Sequence, residues 1–420
     1  MLFRSQTPEL EAFAAQLKGT GEREISTTMA FVRILSTLIK DKAIGQQIVP
    51  IVPDEARTFG MEGMFRQIGI YAAEGQKYTP QDAGQIMFYK EDVKGQILEE
   101  GINEAGSMSS WIAAATSYSN HEVPLIPFYI YYSMFGFQRI GDLAWAAGDS
   151  QARGFMLGAT AGRTTLNGEG LQHQDGHSHV LANTIPNCRT YDPTFSYEVA
   201  VIIQDGIKRM YRDKENCFYY ITLMNENYQH PDMPEGVEDG IIKGMYLLEQ
   251  GKSKKKNRVQ LMGSGTILRE VIAAAEILRK DFDVEADIWS VTSVNELTRD
   301  GQRAVRWNML HPTEPARKPY IAQQLEGHEG PVVIATDHLK TYAEQLRAFI
   351  PNDYTVLGTE GFGRSDSRAK LRFFFEVNSH FVTIAALKSL ADQGKIKADV
   401  VAKAIKQFGI DPEKVDPMSC

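Results

Sequence analysis

The stretch Val123-Pro124-Leu125-Ile126-Pro127-Phe128-Tyr129-Ile130-Tyr131-Tyr132-Ser133-Met134-Phe135 decides the fold. A strand with one wet face alternates apolar and polar residues. This run is apolar or aromatic almost throughout, which predicts burial on both faces, as in a parallel sheet. Downstream, the pattern predicts a helix over 137–152, a strand over 154–161, a helix around 196–213 and a strand over 217–224. Upstream, a helix over 26–40 opens on the capping candidate Ser26 and leads into a β-branched run over 47–53 that ends in Asp54-Glu55. Alternation of this kind is the signature of a doubly wound α/β domain, in which ligands collect at the carboxyl ends of the strands. Asp54 and Glu55 are delivered to such an end.

Between these elements lies Val93-Lys94-Gly95-Gln96-Ile97-Leu98-Glu99-Glu100-Gly101-Ile102-Asn103-Glu104-Ala105-Gly106, which reads as a helix. Seven residues at ~100° each return a helix to within ~20° of its start, so Ile97, Glu104 and Met108 share an apolar side. Glu99 falls about 160° from Ile97, where solvation suffices to explain a carboxylate. Glu104 needs more explanation. A solvated, capping or ion-paired role is the plain alternative to a chemical one.

The pattern breaks into Asn, Tyr, His, Pro and Asp residues over 225–236, the expected linker. A second α/β series follows: a strand beginning at Val259, then helix 266–281, strand 286–292, helix 294–309, strand 331–336 and helices over 339–350, 379–393 and 397–407. The basic run from Lys252 to Arg258, lying between a helical pattern and a strand pattern, reads as a solvated loop.

With 420 residues, 43% hydrophobic, the chain can bury sizeable cores, and its net charge of −8 offers nothing to nucleic acid or an anionic membrane. Three scattered cysteines, Cys188, Cys217 and Cys420, build no disulfide framework and fit a reducing cytoplasm. No run reaches the roughly 18 apolar residues of a membrane span, and the first residues lack the apolar core of a signal peptide. They also lack an evident structural role, as expected where a longer protein has been cut.

Gly263-Ser264-Gly265 invites a dinucleotide reading, but Leu268 stands where the third glycine belongs, and a tight strand-to-helix turn accounts for it better. The loop His173-Gln174-Asp175-Gly176-His177-Ser178-His179 raises zinc, although its spacing is not that of known zinc sites. Proton transfer or anion binding is the preferred reading, with no metal ligand assigned. Neither a Gly-x-Ser-x-Gly elbow nor a P-loop is present.

Four segments then carry a resemblance: Asp54-Glu55-Ala56-Arg57-Thr58-Phe59-Gly60-Met61-Glu62-Gly63, Glu100 to Glu104, Phe128 to Arg139 and Leu166 to His173, together with Gly361-Phe362-Gly363-Arg364-Ser365-Asp366-Ser367-Arg368 near the end. The chain resembles the homodimeric bacterial pyruvate dehydrogenases, the thiamine-diphosphate first component of the pyruvate dehydrogenase complex, in the transketolase superfamily. The resemblance implies two doubly wound α/β domains: a pyrimidine-binding domain over 21–233 and a transketolase carboxy-terminal-like domain over 234–420, after an extension or linker over 1–20. It implies that Glu104 hydrogen-bonds the aminopyrimidine ring and activates the cofactor, that Phe135 stacks on that ring and that Ile102 bends the cofactor. His173 is expected to face the reacting substrate, while Tyr132, Asp54 and Glu55 line the same cavity.

Magnesium and diphosphate are held in that family by a Gly-Asp-Gly motif with a later asparagine. The nearest match here, Gly148-Asp149-Ser150, sits in the wrong context, so those ligands are expected on a diphosphate-binding domain outside this chain, in cis or as a separate chain. The implied activity is decarboxylation of pyruvate and reductive acetylation of the lipoyl group of dihydrolipoamide acetyltransferase, with this chain inactive alone. The alternative is a split subunit of a thiamine-diphosphate carboligase or transketolase-like enzyme.

Overall fold

The structure, a computed structural model, describes residues 7–53, 56–253 and 255–419. Asp54 and Glu55 therefore lie outside the described residues. The chain divides into two units: the first comprises residues up to 161 with 181–190 and 195–233, the second 162–180, 191–194 and 234 onward.

The first unit is built on strands β1 (Ile48–Val52), β2 (Ile70–Tyr71), β3 (Glu91–Asp92), β4 (Leu98–Glu99), β5 (Ile126–Tyr132), β6 (Phe155–Ala159), β7 (Cys188–Tyr191) and β8 (Phe218–Thr222). Six form one sheet in the order β4-β1-β5-β6-β8-β7, while β2 and β3 pair separately. The β1–β4, β1–β5, β5–β6 and β6–β8 pairs are all parallel. β5 lies inside the sheet, and all its residues but Tyr132 are buried. Phe128 meets Phe31 of helix α1 (Thr27–Ile39) at 5.9 Å, whereas Tyr129 and Tyr131 join a core with Trp111 of α2 (Glu104–Ala115) and Ile140 of α3 (Phe137–Asp149). Helices thus cover both faces, which is why β5 could not alternate. Phe13 is fully buried, and Ser196, which opens α4 (Ser196–Ile207), donates its hydroxyl to the Gln16 carbonyl at 3.0 Å.

The second unit holds β9 (Met245–Glu249), β10 (Asn257–Gly263), β11 (Val284–Val291), β12 (Val332–Ala335) and β13 (Tyr354–Leu357), ordered β13-β12-β10-β11-β9. β9 runs antiparallel to β11 and the remaining pairs are parallel. Helices α5 (Leu268–Asp281), α6 (Val294–Leu310), α7 (Arg368–Phe374), α8 (Ser379–Asp392) and α9 (Ala398–Gln407) complete it. Two α/β domains were expected and two α/β units are found.

Three local expectations are corrected. The helix over 93–106 does not form: 98–99 is strand β4, and the helix begins only at Glu104. Gly95 approaches Ile70 so closely that a Cβ would sit 2.3 Å from its carbonyl, and Gly101 takes φ +76°, which ends any continuing right-handed helix. The apolar run before the basic loop is strand β9, because pairing with β11 overrides its helical spacing. The helix over 339–350 is only a turn, Lys340–Glu344, followed by the 3-10 turn Arg347–Phe349.

Candidate functional site

In the first unit the parallel register brings the carboxyl ends of β1, β4 and β5 to one edge of the sheet, since Val52 faces Glu99 and Ile51 faces Tyr129. The chain leaving β4 turns at Gly101 and is capped by Asn103, whose side chain accepts from the Gly106 amide at 3.0 Å. Glu104 is the first residue of α2, and only 8% of it is exposed. A carboxylate there meets the positive end of the helix, where the first amides lack partners.

Its side chain is also paired. Glu104 Oε1 accepts from the Arg139 guanidinium at 2.9 Å, a partner not foreseen from the sequence. Arg139, half exposed in the first turn of α3, lies 4.3 Å above the ring of Phe135, so one cation serves both the carboxylate and the aromatic face. The Tyr129 hydroxyl donates to the Glu104 carbonyl at 3.4 Å. Burial, and then the Glu104 charge, push the Tyr129 phenol well above its usual range, so it stays a neutral donor.

The Phe135 ring meets Tyr132 edge-on at 6.0 Å, and Tyr132 lies 5.4 Å from the buried Phe59. Together they form an aromatic wall beside the Glu104–Arg139 pair. Gly136 is required here, because a Cβ would fall 2.2 Å from the Tyr131 ring. Ile102 projects on the turn before Asn103 and is 75% exposed. Glu99, expected on a solvent face, instead lies half-buried in β4. The structure thus brings Glu104, Phe135 and Tyr132 to one edge, and Gly148-Asp149 merely closes α3.

His173 belongs to the second unit, on the 3-10 turn Leu171–His173, with Nδ1 3.2 Å from Glu169 Oε2. The loop that carries it is pinned at both ends to the chain following β12. Asp337, fully buried, accepts from the Thr164 amide at 2.9 Å and the Thr165 hydroxyl at 2.6 Å. Its carboxyl is raised above the usual carboxylate range by burial. Gly162 must be glycine, since its φ is +88° and a Cβ would stand 2.2 Å from Asp337 Oδ2. At the far end the Leu339 amide donates to the Gly176 carbonyl at 2.7 Å.

Asp175 accepts from the amides of His177 and Ser178, both at 3.0 Å. The imidazole of His179 is pushed down to about 3 by burial and then by His338, so it is neutral. Sequence reading missed Arg139, Asp192, Asp337 and His338. The available signal for the last two was Thr336-Asp337-His338 directly after an apolar run, a polar cluster at the carboxyl end of a parallel strand. Gly263-Ser264-Gly265 is the tight turn expected: a Cβ on Gly263 would lie 2.7 Å from Leu268 Cα.

Comparison with known proteins matches residues 6–231 to the family described as pyruvate dehydrogenase E1 component middle domain, and residues 244–378 to the transketolase-like TK C-terminal domain. The pyruvate dehydrogenase E1 component of Pseudomonas aeruginosa is 66% identical over 98% of this chain, which covers 47% of that protein. That of Escherichia coli is 61% identical over 98% of this chain and 46% of its own length. The chain spans about half the length of the curated relatives it matches. Among solved structures, transketolase from Campylobacter jejuni superposes with a TM-score of 0.65 at 16% identity, over 92% of this chain and 50% of that one. A chain described as split gene transketolase, inactive beta4 tetramer, does so with 0.57 at 17% identity, over 87% and 98%. These likenesses share the fold. Among the described residues no helix is long and apolar enough to cross a membrane.

Proposed function

The chain belongs to the pyruvate dehydrogenase E1 component middle-domain family, and from that premise we propose that it is the pyrimidine-binding and carboxy-terminal part of a thiamine-diphosphate-dependent pyruvate dehydrogenase. The family implies thiamine-diphosphate dependence, and residues 21–233 and 234–420 are our two functional domains. The observation that carries the reading is a buried carboxylate at a helix start, paired with Arg139 at 2.9 Å beside the Phe135 ring.

That set fits an aminopyrimidine: an aromatic face to stack on and a shielded carboxyl for a ring nitrogen. When bound, thiamine diphosphate supplies a carbon acid whose conjugate base adds to the carbonyl of a 2-oxo acid. Glu104 holds and moves a proton at the pyrimidine ring nitrogen, and Arg139 fixes the direction of its carboxyl. Phe135 and Tyr132 exclude water from that edge, and Ile102 would supply bulk against the bound cofactor. His173 serves the substrate, Glu55 has a catalytic role, and Asp54 helps hold the cofactor. We place the magnesium and diphosphate ligands outside these 420 residues. The product acyl group goes to the lipoyl arm of dihydrolipoamide acetyltransferase, and the working enzyme is a cytoplasmic homodimer.

Calorimetric titration tests this. The 420-residue chain alone should bind thiamine diphosphate and magnesium weakly or not at all. Joined to the amino-terminal half that its relatives possess, it should bind both and decarboxylate pyruvate. Micromolar binding by the lone chain would refute the placement of the diphosphate, and a joined enzyme that ignores pyruvate but transfers ketol units between sugars would refute the substrate.

A further inference from the structure

Within the second unit, three fully buried side chains from separate stretches of chain converge: His179, Asp192 and His338. Each offers one donor atom, and the three atoms lie within 4.8 Å of one another. This is not the histidine loop read as a possible zinc cluster, of which only His179 takes part. His173 faces Glu169, and His177 stands 3.8 Å from Asp175.

The spacing is informative. Asp192 Oδ2 and His338 Nε2 are 3.4 Å apart. A charge-assisted hydrogen bond would draw them to about 2.7–2.9 Å. Neither ring nitrogen of His338 has a hydrogen-bond partner, although the residue is fully buried, and an unmet buried donor or acceptor is costly. Two ligands of a tetrahedral ion with bonds of about 2.0–2.1 Å stand roughly 3.3–3.4 Å apart, which is the separation found.

We propose that His179, Asp192 and His338 form a binding site for one divalent transition-metal ion, zinc in the first place. Two imidazoles with a single carboxylate suit zinc and its neighbours, whereas magnesium and calcium prefer an all-oxygen shell. The surroundings are those of a ligand set. Ser264 donates its hydroxyl to Asp192 Oδ2 at 2.8 Å, the outer bond that orients a metal-bound carboxylate, and Tyr342 stacks on the His179 ring at 5.0 Å. The carboxylates of Asp192, Asp175 and Asp337 all act on His338, a field that favours a cation at this place. The ion would join the histidine loop, the 191–194 segment and the end of β12, making the loop's position depend on metal. This inference stands apart from the cofactor reading.

The test uses the 420-residue chain purified without chelators. Elemental analysis should find about one zinc per chain in the wild type and almost none in His338→Gln, whereas replacing the exposed His121 by Gln should change nothing. Cobalt should restore stoichiometric binding with visible ligand-field absorption. Zinc at a hundredfold excess over its dissociation constant should raise the melting midpoint of the stripped wild type by roughly 3–6 °C. A wild-type chain without stoichiometric metal, cobalt absorption or a zinc-dependent shift overturns the site, as does zinc retained undiminished in His338→Gln. The decisive readings are on the wild type, so a poorly folded variant cannot rescue the proposal.

Discussion

Replacing Glu104 by Gln in the joined enzyme separates a chemical carboxyl from a structural one. The amide keeps the size of the side chain and can still accept from Arg139, which stands 2.9 Å away. It loses the charge and the exchangeable acid proton. The Arg139 side chain is 51% exposed, so the lost ion pair is screened and costs at most about 1 kcal/mol. That corresponds to a melting shift of roughly 1–2 °C or less. A general acid–base group contributes about 10²–10⁴-fold to rate, or about 3–5 kcal/mol of barrier. The variant should therefore fold almost normally and lose at least a hundredfold in pyruvate decarboxylation, followed by carbon dioxide release with an artificial electron acceptor. The control cannot be Glu99, which is half-buried in β4; the exposed Glu22→Gln serves and should stay within about 0.5 kcal/mol of wild type in both stability and barrier. Decarboxylation by Glu104→Gln within about threefold of wild type, which is under 1 kcal/mol of barrier, would reduce Glu104 to one more helix-capping carboxylate and refute the reasoning.

Two further outcomes follow from the second unit. Asp337→Ala strands the buried Thr164 amide and takes one acceptor from the Thr165 hydroxyl, which keeps its bond to the Thr266 hydroxyl at 2.7 Å, and should cost about 1–3 kcal/mol in urea unfolding, with Asp337→Asn losing less; equal stability of the alanine variant would dismiss Asp337 as the pin of the loop. At Glu285 burial alone would raise the carboxyl, but hydrogen bonds from Ser253 and Arg279 outweigh it and hold it at about 2. A carboxyl depressed in the fold contributes stability above its unfolded value and loses it as the pH falls through the folded one. The urea midpoint should accordingly drop between the ordinary 4.5 and about 2, more steeply in wild type than in Glu285→Gln. Parallel midpoints in the two proteins across that window would show that the acid sensitivity arises elsewhere.

Some of this protein was legible in the chain alone because its information is local. The unbroken apolar run of β5, the capping residue Ser26 and the glycine turn after β10 act through neighbours in sequence, and they predict two α/β domains with ligands at the strand ends. The motifs around Glu104, Phe135 and His173 likewise carried the family resemblance without coordinates. Other features were decided only by tertiary structure, because they depend on residues far apart in the chain. A helical wheel drawn over 93–106 could not know that Gly95 lies against Ile70, so it extended α2 through what is strand β4. Periodicity could not reveal β9, whose state is set by pairing with β11. Apolar position alone marked Glu104 as shielded, yet what it faces is a guanidinium from the next helix. The histidine loop suggested a cluster of its own, but packing turns only His179 inward, toward Asp192 and His338, since side chains adjacent in sequence point apart while residues distant in sequence can share one buried space.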